Sequence, residues 1–114
     1  MGASPDPTRF SHKAVKLLQR HGYEVIPVGR RNGSIAGISI RHFDEQISEP
    51  VHTLSLYLSP KIQKKFYDYM VNLQPQRIIF NPGTENAELE EIMRRKGVEI
   101  VKNCNLIMLH QGIF

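Results

Sequence analysis

The chain has 114 residues, of which 40% are hydrophobic and 23% charged, and a single cysteine that cannot close an internal disulfide. This length predicts one domain over residues 1–114, and the composition excludes a disordered or fibrous protein. Without an apolar run near the roughly 20 residues that cross a bilayer, or a signal peptide, we expect a soluble cytoplasmic protein with no membrane partner. The net charge is +4, yet residues 1–41 hold seven basic and two acidic side chains, a net +5, which favours a small anionic ligand over nucleic acid.

The first third of the sequence predicts a helix and then a strand. Apolar residues repeat at helical spacing over residues 11–21, and Gly22 stands where a left-handed residue ends a helix. Residues 23–28 are apolar on both faces at their centre, which predicts a strand in a sheet covered on two sides. A loop from Gly29 to Gly37 and a short extension over residues 38–40 follow.

The rest of the chain alternates strands with helices. The predicted elements are a strand at 53–58, a helix at 60–73, a strand at 77–80, a helix at 85–96, a strand at 98–101 and a closing segment without a clear period at 103–114. Such alternation through short connections implies right-handed crossovers. The predicted fold class is therefore α/β with a mostly parallel sheet.

The loops that follow the strands are the candidate ligand site, because ligands bind beyond the carboxyl ends of parallel strands. The loop from Gly2 to Pro5 has little side-chain bulk and leads into a helix whose N-terminal amides attract phosphate, although a plain turn is the alternative. Arg30 and Arg31 stand where an NAD-binding fold has an acidic residue. Guanidinium groups there favour a phosphorylated ribose, that of coenzyme A (CoA) or of NADP; the alternative is that they only solubilise the loop.

Three segments together resemble a known family: GASPDPTR at residues 2–9, HGYEVIPV at 21–28 and NPGT at 81–84. They are similar to the small stand-alone CoA-binding proteins, which in turn resemble the CoA-binding domain of the succinyl-CoA synthetase alpha subunit. The resemblance implies a Rossmann-like sandwich of three layers. Its first, central strand is expected to be truncated here, because only Met1 precedes Gly2; the apolar residues 106–109 are a candidate to fill that place.

The resemblance also implies which residues line the site. The pyrophosphate site would be lined by Gly2, Ala3, Ser4 and Arg9, with Pro5 in the same loop. The adenine and ribose would lie beside Pro27, Val28 and Gly29, with Arg30 near the 3′-phosphate. The opposite wall, toward the pantetheine arm, would be formed by Leu58, Pro60, Asn81, Pro82 and Gly83. His12, at the start of the first helix, is a further candidate to bond a ligand phosphate, with an ordinary histidine as the alternative.

No catalytic or metal-binding motif accompanies these residues, since the sequence has no G-x-S-x-G elbow, no G-x-x-x-x-G-K-[ST] loop and no suitably spaced histidine pair. We therefore expect a protein, not an enzyme, that binds a small nucleotide, CoA or acyl-CoA. The alternatives are an NADP-binding module, either a redox sensor or a reductase fragment, and a subunit that presents CoA to a partner acyl-CoA synthetase. A homo-oligomer is a further alternative. Cys104 is expected either to meet the CoA thiol or, more simply, to pack as a small apolar residue.

Overall fold

The computed structural model describes residues 1–114, which pack as two units. The first unit comprises residues 1–45 and 105–114, and the second comprises residues 46–104. The prediction of a single domain stays a prediction, and each unit is described by itself. No helix in either unit has the length and apolar character needed to span a membrane.

The first unit is built on helix α1, Phe10–Arg20, as its periodicity predicts. Ala14, Val15 and Leu18 form its buried face at the spacing of one helical stripe. The helix ends before Gly22, whose φ of +84° confirms the expected left-handed position. At its other end, the first turn of the helix directly follows residues 2–9.

A β-hairpin in the first unit replaces the short extension expected over residues 38–40. Strand β1, Ser34–Ile35, pairs antiparallel with β2, Ile38–Ser39. Ala36 and Gly37 between them have φ values of 49° and 81°, as a type I′ turn requires at both central positions. Ile35 is fully buried and packs with Val15 and Ile40 into the apolar core of this unit.

The strand predicted over residues 23–28 is wrong. The only ladder contact is an isolated parallel bridge between Val28 and Arg41. Arg41 N donates to Pro27 O and Gly29 N donates to Arg41 O, both at 2.9 Å. Because a strand needs a ladder of such bonds, and the backbone bonds of this segment lie only at its ends, its apolar character alone does not make it one.

The closing segment is also different from the expectation, because residues 105–110 form helix α5, Asn105–His110. The suggestion that residues 106–109 fill a strand position is therefore wrong. Asn105, Met108 and Leu109 are buried, at the i, i+3 and i+4 spacing of a helix, while Ile107 is half exposed. Within the first unit α5 packs against α1.

The second unit contains the parallel sheet that the alternation predicts. Strands β3, Thr53–Leu56, β4, Arg77–Phe80, and β5, Glu99–Lys102, lie in the order β3-β4-β5. All pairs are parallel, with Leu54 beside Ile78 and Ile78 beside Ile100. The middle strand is buried from Ile78 through Phe80, as expected where both faces of a sheet are covered.

The helix expected over residues 60–73 is divided into three parts, which are α2 at Pro60–Gln63, a 3₁₀ turn at Lys64–Phe66 and α3 at Tyr67–Asn72. The division falls at Phe66, whose φ of −122° and ψ of 17° leave the helical region. The helix predicted over residues 85–96 is confirmed as α4, Ala87–Arg95. Asn86 caps it, since its side chain accepts a hydrogen bond from Leu89 N.

Candidate functional site

Residues 2–9 of the first unit, the N-terminal loop, begin against the segment that was expected to be a strand. Gly2 N and Ala3 N each donate to the carbonyl oxygen of Val28, at 2.9 Å in both cases. Gly2 adopts a φ of +96°, which lets two successive amides point to one acceptor. These two amides are therefore used to hold the loop in place.

Asp6 organises the middle of the N-terminal loop. Its Oδ1 accepts from Thr8 N at 3.0 Å and from the Thr8 hydroxyl at 2.8 Å, and its amide donates to Ser4 Oγ at 3.1 Å. The hydrogen bonds from Thr8 lower the pKa of the Asp6 carboxyl, and the charges of Arg9 and Arg31 act in the same direction. Asp6 thus shapes the loop through its hydrogen bonds to Thr8. The Asp-Pro-Thr sequence is the signal that could have identified this turn.

His12 joins the N-terminal loop to α1. The residue is only 6% exposed, and its Nδ1 lies 2.9 Å from the carbonyl oxygen of Ser4. A carbonyl oxygen only accepts, so Nδ1 carries the hydrogen and donates it. His12 is therefore a buried tether, a role that the sequence alone did not indicate.

The first turn of α1 offers backbone donors. The amides of Phe10, Ser11 and His12 have no intrahelical acceptor, and no side chain caps them. The helix dipole adds a partial positive charge at the same place, and the exposed Arg9 stands at the cap position. This arrangement suits a phosphate group.

A second loop, residues 29–33, the arginine loop, touches the N-terminal loop. A Cβ placed on Gly29 would overlap the carbonyl oxygen of Ala3, and one on Gly33 would lie 2.8 Å from Cβ of Pro5. Gly29 thus packs against the Ala3 backbone and Gly33 against the Pro5 ring, and neither position has room for a side chain. Two of the regions that the sequence assigned to a phosphate-bearing ligand are side by side in the same unit.

The arginine loop is held from its other side. His42 Nε2 lies 2.6 Å from Asn32 Oδ1, and Ile40 N donates to Gly33 O at 2.9 Å. Arg30 and Arg31 are both exposed. The loop therefore fixes its backbone and leaves its two guanidinium groups at the surface.

The residues predicted to lie beside the adenine are buried, whereas the two arginines are exposed. Pro27, Val28 and Gly29 are all buried, and Val28 is only 3% exposed. The Val28 carbonyl oxygen is bonded to the N-terminal loop, as described above. These residues support the two loops through their backbone.

In the second unit, the turn at residues 81–84 follows β4. The Asn81 side chain is 1% exposed, and its Nδ2 donates to Ser55 Oγ and to Leu56 O, at 2.9 Å each. Thr84 Oγ1 and Thr84 N donate to Asn81 O at 2.7 and 3.0 Å. The Asn81 amide group thus fixes the turn to the end of β3, and its predicted place in a ligand wall stays a prediction.

Gln63 also stabilises the turn at residues 81–84. Its side chain is fully buried, and Nε2 donates to Leu58 O at 2.7 Å and to Thr84 O at 2.8 Å. Sequence reasoning missed this residue, because a glutamine in a predicted helix gives no sign of burial. Of the predicted wall residues, Leu58 is half-buried, and Pro60, Pro82 and Gly83 are exposed.

Tyr57 and Cys104 lie near each other in the second unit, past the ends of β3 and β5. Burial raises the pKa of the Tyr57 phenol, and a negative charge on Cys104 would raise it further. The phenol oxygen is enclosed without a hydrogen-bond partner. Cys104 itself is half-buried. No cluster of three or more metal-ligating side chains occurs in the structure.

The structure therefore assigns the predicted site residues to two places. One set lies in the first unit, around the N-terminal loop, the α1 terminus and the arginine loop. The other set, from Leu58 to Gly83, lies in the second unit at the ends of β3 and β4.

Comparison with known proteins identifies relatives over nearly the whole chain. Residues 1–110 match the sequence model of a family described as a CoA binding domain. An uncharacterized protein of Bacillus subtilis, YneT, is 23% identical, in a match that covers 96% of this chain and 82% of that protein. A crystal structure of an uncharacterized protein is 42% identical with a TM-score of 0.89, covering 99% of this chain and 93% of that one.

Two further solved structures agree with the fold. A Thermus thermophilus protein has a TM-score of 0.88 at 24% identity, covering 100% of this chain and 87% of the other. A hypothetical protein from Pyrococcus horikoshii OT3 has a TM-score of 0.86 at 25% identity, covering 98% and 79%. These similarities confirm the predicted Rossmann-like α/β class.

Proposed function

We propose, for a chain that belongs to the CoA-binding domain family, that the first turn of α1 and the arginine loop hold the phosphates of the bound CoA. Family membership gives CoA binding in general. The assignment of phosphates to residues is the proposal. The observation that supports it most is the glycine-only contact between the N-terminal loop and the arginine loop at Gly29 and Ala3.

The pyrophosphate is assigned to the first turn of α1. The amides of Phe10, Ser11 and His12 need acceptors, and phosphate oxygens supply them. Arg9 at the cap adds a positive charge, which Asp6 partly opposes. Gly2 and Ala3 contribute through their small size, because their own amides already bond to Val28.

The 3′-phosphate is assigned to Arg30. The charge of Arg31 is partly opposed by Asp6, whose lowered pKa reflects that neighbour among its causes. Arg30 is exposed and has no carboxylate partner in the structure. An arginine can give two parallel hydrogen bonds to a phosphate, so Arg30 is the better donor for an extra ribose phosphate.

The binding is proposed to be non-catalytic. His12, the histidine nearest to the proposed phosphate site, already uses Nδ1 to hold Ser4. Asn81 uses its amide group to fix a turn. The pantetheine wall expected from Leu58, Pro60, Asn81, Pro82 and Gly83 stays a prediction.

Calorimetric titration of CoA and 3′-dephospho-CoA into the protein and two variants tests the proposal. Arg30→Ala is expected to weaken CoA about tenfold, or about 1.4 kcal/mol, the size of one exposed charge-assisted contact. The matched control, Lys96→Ala, removes an equally exposed cation at the end of α4 and is expected to leave the CoA affinity unchanged.

The ligand comparison separates the possible outcomes. Arg30→Ala is expected to leave the affinity for dephospho-CoA within about twofold of the wild type, because the contacting phosphate is absent. Equal losses for both ligands would remove the assignment of the 3′-phosphate to Arg30. Tighter binding of NADP than of CoA would overturn the proposal. In a thermal shift assay, CoA at about 100 times its Kd should add about 2.7 kcal/mol of stability.

A further inference from the structure

His12 is the one histidine of the chain that is both buried and bonded to the N-terminal loop. It lies in the first turn of α1, is 6% exposed, and donates from Nδ1 to the carbonyl oxygen of Ser4 over 2.9 Å. This bond connects residues eight positions apart. It is therefore a tertiary contact and not part of the regular bonding of the helix.

The carbonyl of Ser4 has a particular need for such a donor. Pro5 follows it, so the peptide group between them has no N–H, and its only polar backbone atom is the oxygen. A partly buried carbonyl without a donor costs free energy, and its partial negative charge would repel a phosphate nearby. His12 satisfies this oxygen and holds it toward the ring.

We infer that His12 is the positioning residue of the proposed phosphate site, and that ligand affinity depends on its Nδ1 donor and not on a contact from Nε2. The inference rests on the proposed function, because it concerns the same loop. By fixing Ser4, His12 keeps the N-terminal loop against the first turn of α1. Loss of the donor would release the Ser4 carbonyl and let the loop move over the amides that would hold phosphate.

Two variants with amide side chains test which nitrogen of the His12 ring, Nδ1 or Nε2, the site requires. Asparagine carries its amide nitrogen as many bonds from Cα as Nδ1 is, whereas glutamine carries it one bond further, as Nε2 is. His12→Asn therefore keeps the donor to Ser4, and His12→Gln removes it while placing a donor where Nε2 was. His12→Ala removes both, and His21→Ala is the control, since His21 is an exposed histidine at the other end of α1.

Titration calorimetry with CoA, well below the melting temperature of each variant, is the first measurement. His12→Ala and His12→Gln are expected to bind CoA about tenfold more weakly, or about 1.4 kcal/mol. His12→Asn is expected to bind within about twofold of the wild type, as is His21→Ala. Rescue by Gln but not by Asn, or equal affinity for all the variants, would overturn the inference.

Hydrogen exchange of the Ala3 amide is the second measurement and needs no ligand. This amide donates to Val28, so its exchange reports whether the N-terminal loop is held. We expect exchange about tenfold faster in His12→Ala and His12→Gln and near the wild-type rate in His12→Asn. If the wild type does not bind CoA, the proposed function fails, whereas unchanged exchange in His12→Ala shows that His12 does not hold the loop.

Discussion

Gly29 is required by space and not by backbone conformation. Its φ is outside the left-handed region, yet any Cβ there would overlap the Ala3 carbonyl oxygen. Gly22 is the opposite case, since its φ is +84° and nothing lies within 4 Å of a Cβ placed on it. The two glycines therefore separate a packing requirement from a conformational one.

Gly29→Ala is expected to destabilise the protein by about 1–3 kcal/mol, the usual cost of an added methyl group without room. Because the N-terminal loop must move to admit the methyl group, CoA affinity should fall as well. Gly22→Ala should cost about 1 kcal/mol from left-handed strain and leave CoA affinity unchanged. Denaturant unfolding and CoA titration of both variants check this. Full CoA affinity in Gly29→Ala would show that the loop contact does not shape the site.

Individual residue roles were only partly predictable from the sequence. Gly29 and Ser4 were singled out through the family resemblance, but their partners, the Ala3 carbonyl and His12, depend on tertiary contacts that local patterns do not contain. Asn81 shows the limit most plainly. Its place in the ligand wall stays a prediction, and the hydrogen bond from its amide to the end of β3 is a tertiary contact that the sequence does not indicate.

At the level of secondary-structure elements, the predictions were accurate where the apolar residues follow a clear pattern. Helix α1 and strand β4 were found within one residue of the expected ends, because the apolar stripe of the helix and the buried run of the strand are both clear. The segment over residues 23–28 is as apolar as a strand but lacks the partner ladder. Helix α5 was missed, because six residues are too few to establish a helical period.

Helix α4 depends on Asn86, which joins the helix to the packed elements before it. Its side chain accepts from Leu89 N at 3.1 Å, and its Nδ2 donates to Gln63 Oε1 and to the Tyr67 hydroxyl, at 2.9 Å each. The acceptor caps the helix, and the donor satisfies the buried Gln63, which in turn supports the turn at residues 81–84. Helix α4 and this turn are thus stabilised by the same side chain.

Asn86→Ala is expected to destabilise the protein by about 2–3 kcal/mol, the sum of a lost cap and an unsatisfied buried acceptor. Asn86→Ser keeps a cap oxygen but lacks the amide group that reaches Gln63 and Tyr67, so its loss should be smaller by about 1 kcal/mol. Urea denaturation of the two variants measures both values. If Ser and Ala cost the same, the cap at Leu89 contributes nothing and the Gln63 contact accounts for the whole effect.

Across the whole molecule, the positive charge is unevenly compensated. Several cations of the second unit are paired, Arg94 with Glu90 at 2.6 Å, Arg95 with Glu91 at 3.0 Å and Lys102 with Glu90 at 3.0 Å. Residues 1–41 hold seven basic side chains against two acidic ones, and the remaining residues have a net charge of −1. The electrostatic attraction of a phosphorylated ligand is therefore expected to come from the N-terminal third of the chain.

The preference for CoA over dephospho-CoA is accordingly expected to depend on ionic strength. Arg30 is exposed, so salt screens its interaction with the 3′-phosphate, and the screening length falls from about 30 Å at 0.01 M to about 3 Å at 1 M. The ratio of the two Kd values should be about tenfold at the lower concentration and approach about two- to threefold at the higher one. In Arg30→Ala, where the specific contact is absent, the ratio should stay near one at both. Calorimetric titrations at the two salt concentrations measure these ratios, and a wild-type ratio that does not change with salt would place the 3′-phosphate in a buried contact away from Arg30.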